Sequence, residues 1–303
     1  MSKIAFLFPG QGSQYIGMAK DLFENSVEAR EMIKTADDAI GINLSYIMFN
    51  GPEEQLKQTE FTQPAIFLHS VILANLIRTL HPDAAAGHSL GEYSALVCAN
   101  AIQFYDAVKL VRLRGMAMQS AGLEKKGTMA AIIGLEPEVV EECCKATSVD
   151  EVCQCANFNS PGQVVISGSV NGVKKGMEIC RNKGAKVKEL VVSGAFHSPL
   201  MESARAALKG GLDDTYIYDG RIPVYANVTA SPECNKENIK KYLYEQVTSP
   251  VRWEETIRNM INDGIKEFYE IGPGKVLQGL VKRINTDVKC FGIDKYSDVE
   301  KYL

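Results

Sequence analysis

The sequence lacks a long apolar run and an excess of positive charge, and it has only four histidines. Its formal net charge of -4 argues against nucleic acid as the main partner. The apolar start, residues 1–8, is too short for a signal peptide. The longest uncharged stretch, residues 61–77, contains several polar side chains and predicts a buried helix that starts near Pro64, not a membrane span. We therefore expect a globular cytoplasmic protein.

Eight cysteines in a chain of this length, without a signal peptide, predict free thiols in a reducing compartment. Four of them lie close together in sequence, at Cys143, Cys144, Cys153 and Cys155. Their spacings are C-C and C-x-C, and no histidine lies nearby, so a zinc site is not favoured. We expect these thiols to pack in a core, and we expect no bound metal.

Short apolar runs alternate with helical patterns to about residue 122, and this alternation predicts a parallel α/β sheet. Between residues 128 and 192 the order is instead β-α-β-β-α-β, which is the ferredoxin-like unit. The α/β pattern resumes after Gly194. We therefore predict a discontinuous α/β main domain, residues 1–124 and 195–303, with a ferredoxin-like α+β subdomain inserted at residues 125–194.

A G-x-S-x-G motif occupies residues 87–91 and is the most informative stretch of the chain. Between a strand and a helix, this motif places a serine hydroxyl at the top of a sheet with a helix N-terminus behind it. Ser89 is then a candidate nucleophile for an acyl carbon, and the backbone N–H of Leu90 lies where an oxyanion needs a donor. Glu92 falls in the first turn of the following helix, where the helix dipole favours an acid. The alternative role for Ser89 is that of a helix cap.

A serine nucleophile needs a base, and few histidines are available. His69 falls in an apolar helix, His81 precedes a proline in a loop, and the side chain of His88 should point away from that of Ser89. His197 follows the last strand of the predicted insert, at a strand-to-helix junction where catalytic groups collect. By elimination His197 is the best base, with capping of the next helix as the alternative. No acidic residue stands out behind it, which weakens an ordinary esterase interpretation.

A helix is predicted over residues 103–119, and Arg114 lies at the edge of its apolar face. Arg112 points further toward solvent. A guanidinium at the edge of a buried face needs an anion. That anion is either the partner in a structural salt bridge or the carboxylate of a substrate.

Two glycine-rich loops resemble nucleotide-binding loops without matching them. The loop at residues 10–14 misses the G-x-G-x-x-G spacing, and the loop at residues 271–276 lacks the first glycine and the final Ser or Thr of a phosphate loop. Glycine loops after parallel strands can equally place backbone N–H groups at an active site.

Seven short motifs follow one another over nearly the whole chain. They are FPGQGSQ at 8–14, GHSLGE at 87–92, RLRG at 112–115 with MQ at 118–119, NFNSPGQ at 157–163, GAFHS at 194–198, the stretch 246–253 and EIGPG at 270–274. Together they resemble the malonyl-CoA:acyl carrier protein transacylase family. The resemblance implies an α/β-hydrolase-like core with a ferredoxin-like insert, in agreement with the predicted element order. It also implies malonyl transfer from malonyl-CoA to the phosphopantetheine thiol of acyl carrier protein, through a malonyl-serine intermediate, in fatty-acid synthesis.

The resemblance also implies roles for the residues at matching positions. Ser89 is similar to the family's nucleophile and His197 to its base. Gln11 and Leu90 match the backbone donors of the oxyanion hole. Gln246 is similar to the residue whose main-chain carbonyl orients the histidine, which would explain the missing acidic residue.

Three further positions match residues that contact the acyl group. Arg114 matches the clamp for the malonyl carboxylate. Phe196 lies where malonyl-selective members carry a phenylalanine, whose ring would crowd a 2-methyl branch. Asn157 would line the same cleft.

The resemblance implies a monomer that uses no cofactor and no metal, binds coenzyme A only as the substrate thioester, and meets neither nucleic acid nor membrane. Acyl carrier protein is acidic, and residues 174–188 hold six basic residues against Glu178, so this segment is either a docking face or an ordinary solvated face. Three alternatives stay open: a serine thioesterase or esterase, a trans-acting acyltransferase of a polyketide pathway, and an inactive scaffold. Arg114 argues against the first, and an intact Ser89 and His197 argue against the last.

Overall fold

The computed structural model describes residues 2–147 and 151–303, which form two sheets with helices packed against them. The strands are β1 (Lys3–Phe8), β2 (Ala84–Gly87), β3 (Gly127–Ile133), β4 (Cys153–Ser160), β5 (Gln163–Ser169), β6 (Lys186–Leu190), β7 (Val224–Tyr225), β8 (Pro232–Glu233), β9 (Ile265–Ile271) and β10 (Lys289–Ile293). The helices are α1 (Lys20–Asn25), α2 (Val27–Ile40), α3 (Leu44–Asn50), α4 (Glu53–Leu56), α5 (Thr59–Leu76), α6 (Gly91–Cys98), α7 (Phe104–Glu124), α8 (Pro137–Lys145), α9 (Val170–Asn182), α10 (Glu202–Asp214), α11 (Lys236–Gln246), α12 (Trp253–Asn262), α13 (Val276–Ile284) and α14 (Tyr296–Val299). None of the helices in these ranges is long and apolar enough to cross a membrane.

The larger sheet has the strand order β10-β9-β1-β2-β7-β8, and its first five strands run parallel. The central strand β1 buries its last four residues, and β2 is a short run of three alanines and a glycine that is buried throughout. Strands that are covered on both faces read as continuous apolar runs, because helices pack on each side of a parallel sheet. The loops that follow β1, β2 and β7 therefore meet at one edge of this sheet.

The smaller sheet is antiparallel and has the order β4-β5-β3-β6. With α8 and α9 packed against it, this is the ferredoxin-like arrangement that the element order predicts. The two sheets confirm the predicted fold class. The boundaries at residues 125 and 194 stay a prediction, although β3 begins at Gly127 and β6 ends at Leu190.

The clustered cysteines lie between α8 and the smaller sheet. Cys143, Cys144 and Cys155 are buried in its apolar core, and Cys153 is partly buried beside them. Within residues 2–147 and 151–303, no group of three His, Cys, Asp or Glu side chains is arranged to hold a metal ion.

Helix α5 begins earlier than the sequence predicts. It starts at Thr59 instead of near Pro64, so the proline lies inside the helix. Pro64 has no N–H to give to the carbonyl of Glu60 one turn before it. Nη1 of Arg112, on α7, donates a hydrogen bond to that carbonyl at 2.5 Å and thereby fixes the start of α5 against α7.

The smaller sheet is joined to the main domain through β4. β4 forms two backbone hydrogen bonds with Val251, in the segment before α12. The N–H of Phe158 donates to the carbonyl of Val251 at 2.9 Å, and the N–H of Val251 donates to the carbonyl of Ala156 at 2.8 Å. This segment follows α11, which ends at Gln246. The insert is thus tied to the part of the chain that carries one of the predicted site residues.

Candidate active site

Ser89 lies on the turn between β2 and α6, in the left-handed region with a φ of 52°. Few residues other than glycine adopt such a backbone, and it is typical of strained functional turns. The flanking glycines are required by close packing. A Cβ on Gly87 would overlap the backbone of Gly91, and one on Gly91 would overlap the carbonyl of Phe8. The motif therefore forms the predicted turn, with the serine hydroxyl at the end of β2.

His197 meets Ser89 in the geometry of a base and its nucleophile. The Nε2 atom of His197 lies 2.8 Å from the Oγ of Ser89. On the other side of the ring, Nδ1 lies 2.9 Å from the carbonyl oxygen of Gln246 and 3.1 Å from that of Ser249. Carbonyl oxygens only accept, so Nδ1 carries the proton and Nε2 is free to accept one from Ser89. Two main-chain carbonyls thus occupy the place of the acidic residue that the sequence does not supply.

The environment of His197 keeps its ring neutral. The side chain is buried, and burial, followed by the positive charge of Arg114, lowers the pKa of His197 to about 3. Its backbone has a φ of 56°, and its carbonyl accepts a hydrogen bond from Nε2 of Gln154 at 2.7 Å. Gln154 belongs to β4, so the smaller sheet supports the backbone of His197.

None of the other three histidines forms a hydrogen bond with Ser89 Oγ. The ring of His88 bonds to Oδ1 of Asn159 at 2.9 Å and packs against Trp253. His69 is buried in α5, where its Nε2 meets the carbonyl of Asp294 at 2.7 Å. His81 is exposed.

Two backbone N–H groups beside Ser89 are available to an oxyanion. In the described part of the chain, no acceptor meets the N–H of Gln11 or of Leu90. The N–H of Ser89 itself is taken by Oδ1 of Asn227 at 2.7 Å. Donors that are already fixed in place and lack a partner can stabilise a developing negative charge without reorganisation.

Arg114 is fully buried, whereas the sequence places it at the edge of an apolar face. Its exposed fraction is 1%, because α5 packs over α7 at this point. The guanidinium donates to Oε1 of Gln63 at 2.7 Å, to Oε1 of Gln246 at 2.9 Å and to Oγ of Ser89 at 3.1 Å. None of these acceptors is a carboxylate. Among the described residues no salt bridge forms to Arg114, so the structural-partner alternative is not realised.

The salt bridge on this helix belongs to Arg112. Its Nη2 lies 2.8 Å from Oε2 of Glu60, and both side chains are partly exposed. The neighbouring arginines therefore differ: the charge of Arg112 is already paired, and that of Arg114 is paired only with neutral acceptors. A buried cation in the second situation favours an incoming anion.

The predicted site residues surround one cavity of about 130 Å³ that is partly open to solvent. Seven of the eight line it, namely Gln11, Ser89, Leu90, Arg114, Asn157, Phe196 and His197. Gln246 lies behind them, with its side chain on Arg114 and its carbonyl on His197. The remaining walls are mostly apolar and include Met118, Met129, Leu190 and Val192. A serine hydroxyl, a neutral imidazole, two backbone N–H groups without a partner and a buried guanidinium thus face the same small volume.

Sequence reasoning missed three polar residues that hold this arrangement. Asn227 is fully buried, accepts from the N–H of Ser89 and donates Nδ2 to the carbonyl of Gly87 at 2.7 Å. Gln63 is hidden in the apolar helix α5, and Gln154 lies on a strand of the insert. The sequence position of Asn227 could have pointed to the site, because Asn227 follows a parallel strand at the sheet edge where active sites form. No sequence feature pointed to Gln63 or Gln154.

Glu92 lies in the first turn of α6, as the sequence predicts, and its side chain is buried. It is 3% exposed, and its Oε2 accepts from the N–H of Asn227 at 2.9 Å and from Nε2 of Gln246 at 2.8 Å. Burial raises the pKa of this carboxyl to about 7, against the lowering effect of its hydrogen bonds and of Arg114. The first turn of α6 therefore carries a buried acid that is part of the site.

Two N–H groups at the start of α13, directly after the second glycine loop, are taken by a carboxylate of the protein itself. The carboxylate of Glu270 accepts the N–H of Leu277 at 2.9 Å and that of Gln278 at 3.1 Å. These are the donors that a phosphate would need at a helix N-terminus. The buried Glu270 therefore occupies two of the donors that a phosphate loop would offer.

Comparison with known proteins agrees with these observations. A family model described as acyl transferase domain matches residues 5–291. The malonyl CoA-acyl carrier protein transacylase of Bacillus subtilis (strain 168) is 45% identical, over 99% of this chain and 96% of its own. A solved malonyl CoA-acyl carrier protein transacylase from Coxiella burnetii superposes with a TM-score of 0.96 at 38% identity, over 99% of this chain and 96% of its own. A structure of a type II PKS acyl-carrier protein in complex with its malonyl-transacylase matches with a TM-score of 0.96 at 39% identity, over 100% of this chain and 99% of the matched chain. The chain belongs to the malonyl-CoA:acyl carrier protein transacylase family.

Proposed function

We propose that this protein transfers a malonyl group from malonyl-CoA to the phosphopantetheine thiol of an acyl carrier protein in fatty-acid synthesis. One observation carries the proposal: the Oγ of Ser89 lies 2.8 Å from Nε2 of His197 and 3.1 Å from Nη2 of Arg114, and all three residues line one cavity. A base and an unpaired cation meet at the same hydroxyl. That combination suits an acyl group that carries its own carboxylate.

In the first half-reaction, Ser89 attacks the thioester carbonyl of malonyl-CoA while Nε2 of His197 takes the hydroxyl proton. The carbonyl oxygen becomes negative and accepts from the N–H groups of Gln11 and Leu90. When the C–S bond breaks, the coenzyme A sulfur takes the proton from His197. The products are coenzyme A and a malonyl ester on Ser89.

In the second half-reaction, the carrier thiol occupies the place that coenzyme A has left. His197 removes the thiol proton, and the sulfur attacks the ester carbonyl over the same oxyanion donors. The C–O bond to Ser89 breaks, and Oγ takes the proton back from His197. The order of events is therefore ping-pong, and no step calls for a metal or a redox cofactor. We place this chemistry in the cytoplasm.

Arg114 supplies the malonyl preference in this proposal, and its replacement by alanine should remove it. We expect kcat/KM for malonyl-CoA to fall about a hundredfold or more, since breaking a buried charge pair costs about 3 kcal/mol. Acetyl-CoA has no carboxylate and should lose far less. The measurement is the rate of Ser89 acylation by each thioester.

Arg112→Ala is the matched control for this prediction, because it removes a guanidinium from the same helix that is paired with Glu60 outside the cavity. It should leave the preference for malonyl-CoA over acetyl-CoA unchanged. An equal loss of both thioesters in Arg114→Ala would refute the clamp.

Intact mass spectrometry tests the reaction as a whole. Brief incubation with malonyl-CoA should add one malonyl group, and added holo acyl carrier protein should remove it onto its own thiol. Release of the group to water alone would instead indicate a thioesterase. The relative solved with a type II PKS acyl-carrier protein favours one second candidate, a polyketide carrier as the acceptor. Comparing kcat/KM for a fatty-acid carrier and a polyketide carrier separates the two.

We propose the basic segment 174–188 as the docking face for the acidic carrier, since its six basic side chains are all exposed. Changing Lys174, Lys175 and Lys183 to glutamate should raise KM for the carrier about tenfold, with little change for malonyl-CoA. A triple reversal at three other exposed lysines is the control, at Lys20, Lys34 and Lys301. An unchanged carrier KM in the first variant would rule out this face.

A further inference from the structure

We propose that Glu92 is a positioning residue that holds Arg114 ready for a substrate carboxylate through the side-chain amide of Gln246. The inference rests on the proposed function, because it concerns how the site selects a malonyl group. Glu92 does not touch Arg114. Its Oε2 accepts a hydrogen bond from Nε2 of Gln246 at 2.8 Å. Oε1 of Gln246 in turn accepts one from Nη2 of Arg114 at 2.9 Å.

The neighbours of Gln246 dictate which way its amide points. The Nε2 end faces two acceptors, the carbonyl of Ser89 at 3.0 Å and the carboxylate of Glu92 at 2.8 Å. The Oε1 end faces the guanidinium of Arg114. In the reversed orientation, the amide N–H groups would face guanidinium N–H groups, and the amide oxygen would face two further oxygens. Glu92 thus favours the orientation that serves Arg114, because its Oε2 already accepts the N–H of Asn227 and therefore faces the amide as an acceptor.

Arg114 depends more on this bond once Ser89 carries an acyl group. In the free enzyme, Nη2 donates to both Ser89 Oγ and Gln246 Oε1. After acylation Oγ becomes an ester oxygen, which is a poorer acceptor than a hydroxyl. Gln246 is then the protein group that fixes Nη2 opposite the malonyl carboxylate. A loosened amide should therefore affect malonyl transfer and leave acetyl transfer largely intact.

Loss of the negative charge of Glu92 and loss of its acceptor oxygen should change the preference for malonyl-CoA in opposite directions, so the two effects can be told apart. Loss of the negative charge alone would favour an anion in the cavity. Loss of the acceptor would free the Gln246 amide to turn and would disfavour the malonyl group. Glu92→Gln removes the charge and keeps an acceptor oxygen, whereas Glu92→Met removes both at similar volume.

The experiment measures kcat/KM for malonyl-CoA and for acetyl-CoA with each variant. We expect Glu92→Met to lower the ratio of the two about tenfold, the loss that corresponds to one hydrogen bond to a charged group. Glu92→Gln should keep the ratio within about threefold of the wild type or raise it. Combined with Arg114→Ala, Glu92→Met should change the ratio no further, because its effect passes through Arg114.

Glu270→Met is the matched control. Glu270 is also a buried carboxylate that accepts a backbone N–H, but its bonds go to the start of α13 and to no residue of the cavity. It should alter stability without altering the ratio. If Glu92→Met does not fold, Gln246→Met tests the same link, since the main-chain carbonyl that bonds His197 remains.

Three outcomes would overturn the proposal: a preserved ratio in Glu92→Met, an equal loss for both thioesters, or a loss in Glu92→Gln as large as in Glu92→Met. Failure of the proposed function is distinct, because it would appear as a wild-type protein that takes no malonyl group at all.

Discussion

Replacing Ser89 with alanine should abolish the covalent malonyl adduct and reduce transfer to the carrier thiol by at least about ten thousandfold. The methyl group cannot attack a thioester, and no other hydroxyl meets His197 in the described part of the chain. Oxyanion donors and the Arg114 clamp would remain, so binding of malonyl-CoA should persist. The measurement is intact mass after incubation with malonyl-CoA, together with the rate of carrier malonylation.

Ser120→Ala is the matched control for this result. Ser120 lies on α7 and is exposed, with its hydroxyl on Glu124 and away from the cavity. It should retain the full adduct and the full rate. A malonyl adduct that persists in Ser89→Ala at wild-type speed would assign the nucleophile to another residue.

Local patterns single out Ser89, His197 and Arg114, and the structure brings these three side chains to one cavity. Ser89 was visible in a five-residue motif because the turn demands glycines at defined positions, and the structure places those glycines against backbone. His197 followed by elimination because the chain has so few histidines. Arg114 was singled out because a charge on an apolar helix face is costly unless it is used.

The residues that support the chemistry could not be found in this way. Asn227 and Ser89 are in contact across 138 positions of sequence, and neither neighbourhood signals the other. Gln63 and Gln154 are polar residues on elements that the pattern assigns to packing. Such partners are set by tertiary proximity, and local periodicity carries no information about it.

The fold was predictable to a similar depth. The insert is contiguous in sequence, so its six elements could be read in order as one ferredoxin-like unit. The order of the larger sheet was not predictable, because β2 is four residues of alanine and glycine and β7 is two residues long. Strands that short carry little hydrophobic pattern, and their place is determined by the helices that pack on them.

His197→Ala should slow acylation of Ser89 by about a thousandfold or more, with His81→Ala, an exposed histidine, as the unaffected control. The pH dependence of the wild type tests the environment of this base. A histidine with an ordinary pKa of about 6.5 loses its proton-accepting form as the pH falls below that value. Burial and the Arg114 charge lower the pKa of His197 to about 3, so its neutral form should persist to much lower pH.

Acetyl-CoA is the substrate for this measurement, because its profile does not depend on pairing a carboxylate with Arg114. Between about pH 5.5 and 8, the rate of Ser89 acetylation should change by less than about threefold. Arg114→Ala removes one of the causes that lower the pKa of His197. The acid limb, which is the fall of the acetylation rate at low pH, should therefore move to higher pH. An acid limb near the ordinary histidine value in the wild type would show that His197 is more hydrated than its burial implies. The same limb in both proteins would mean that Arg114 exerts no field on the base.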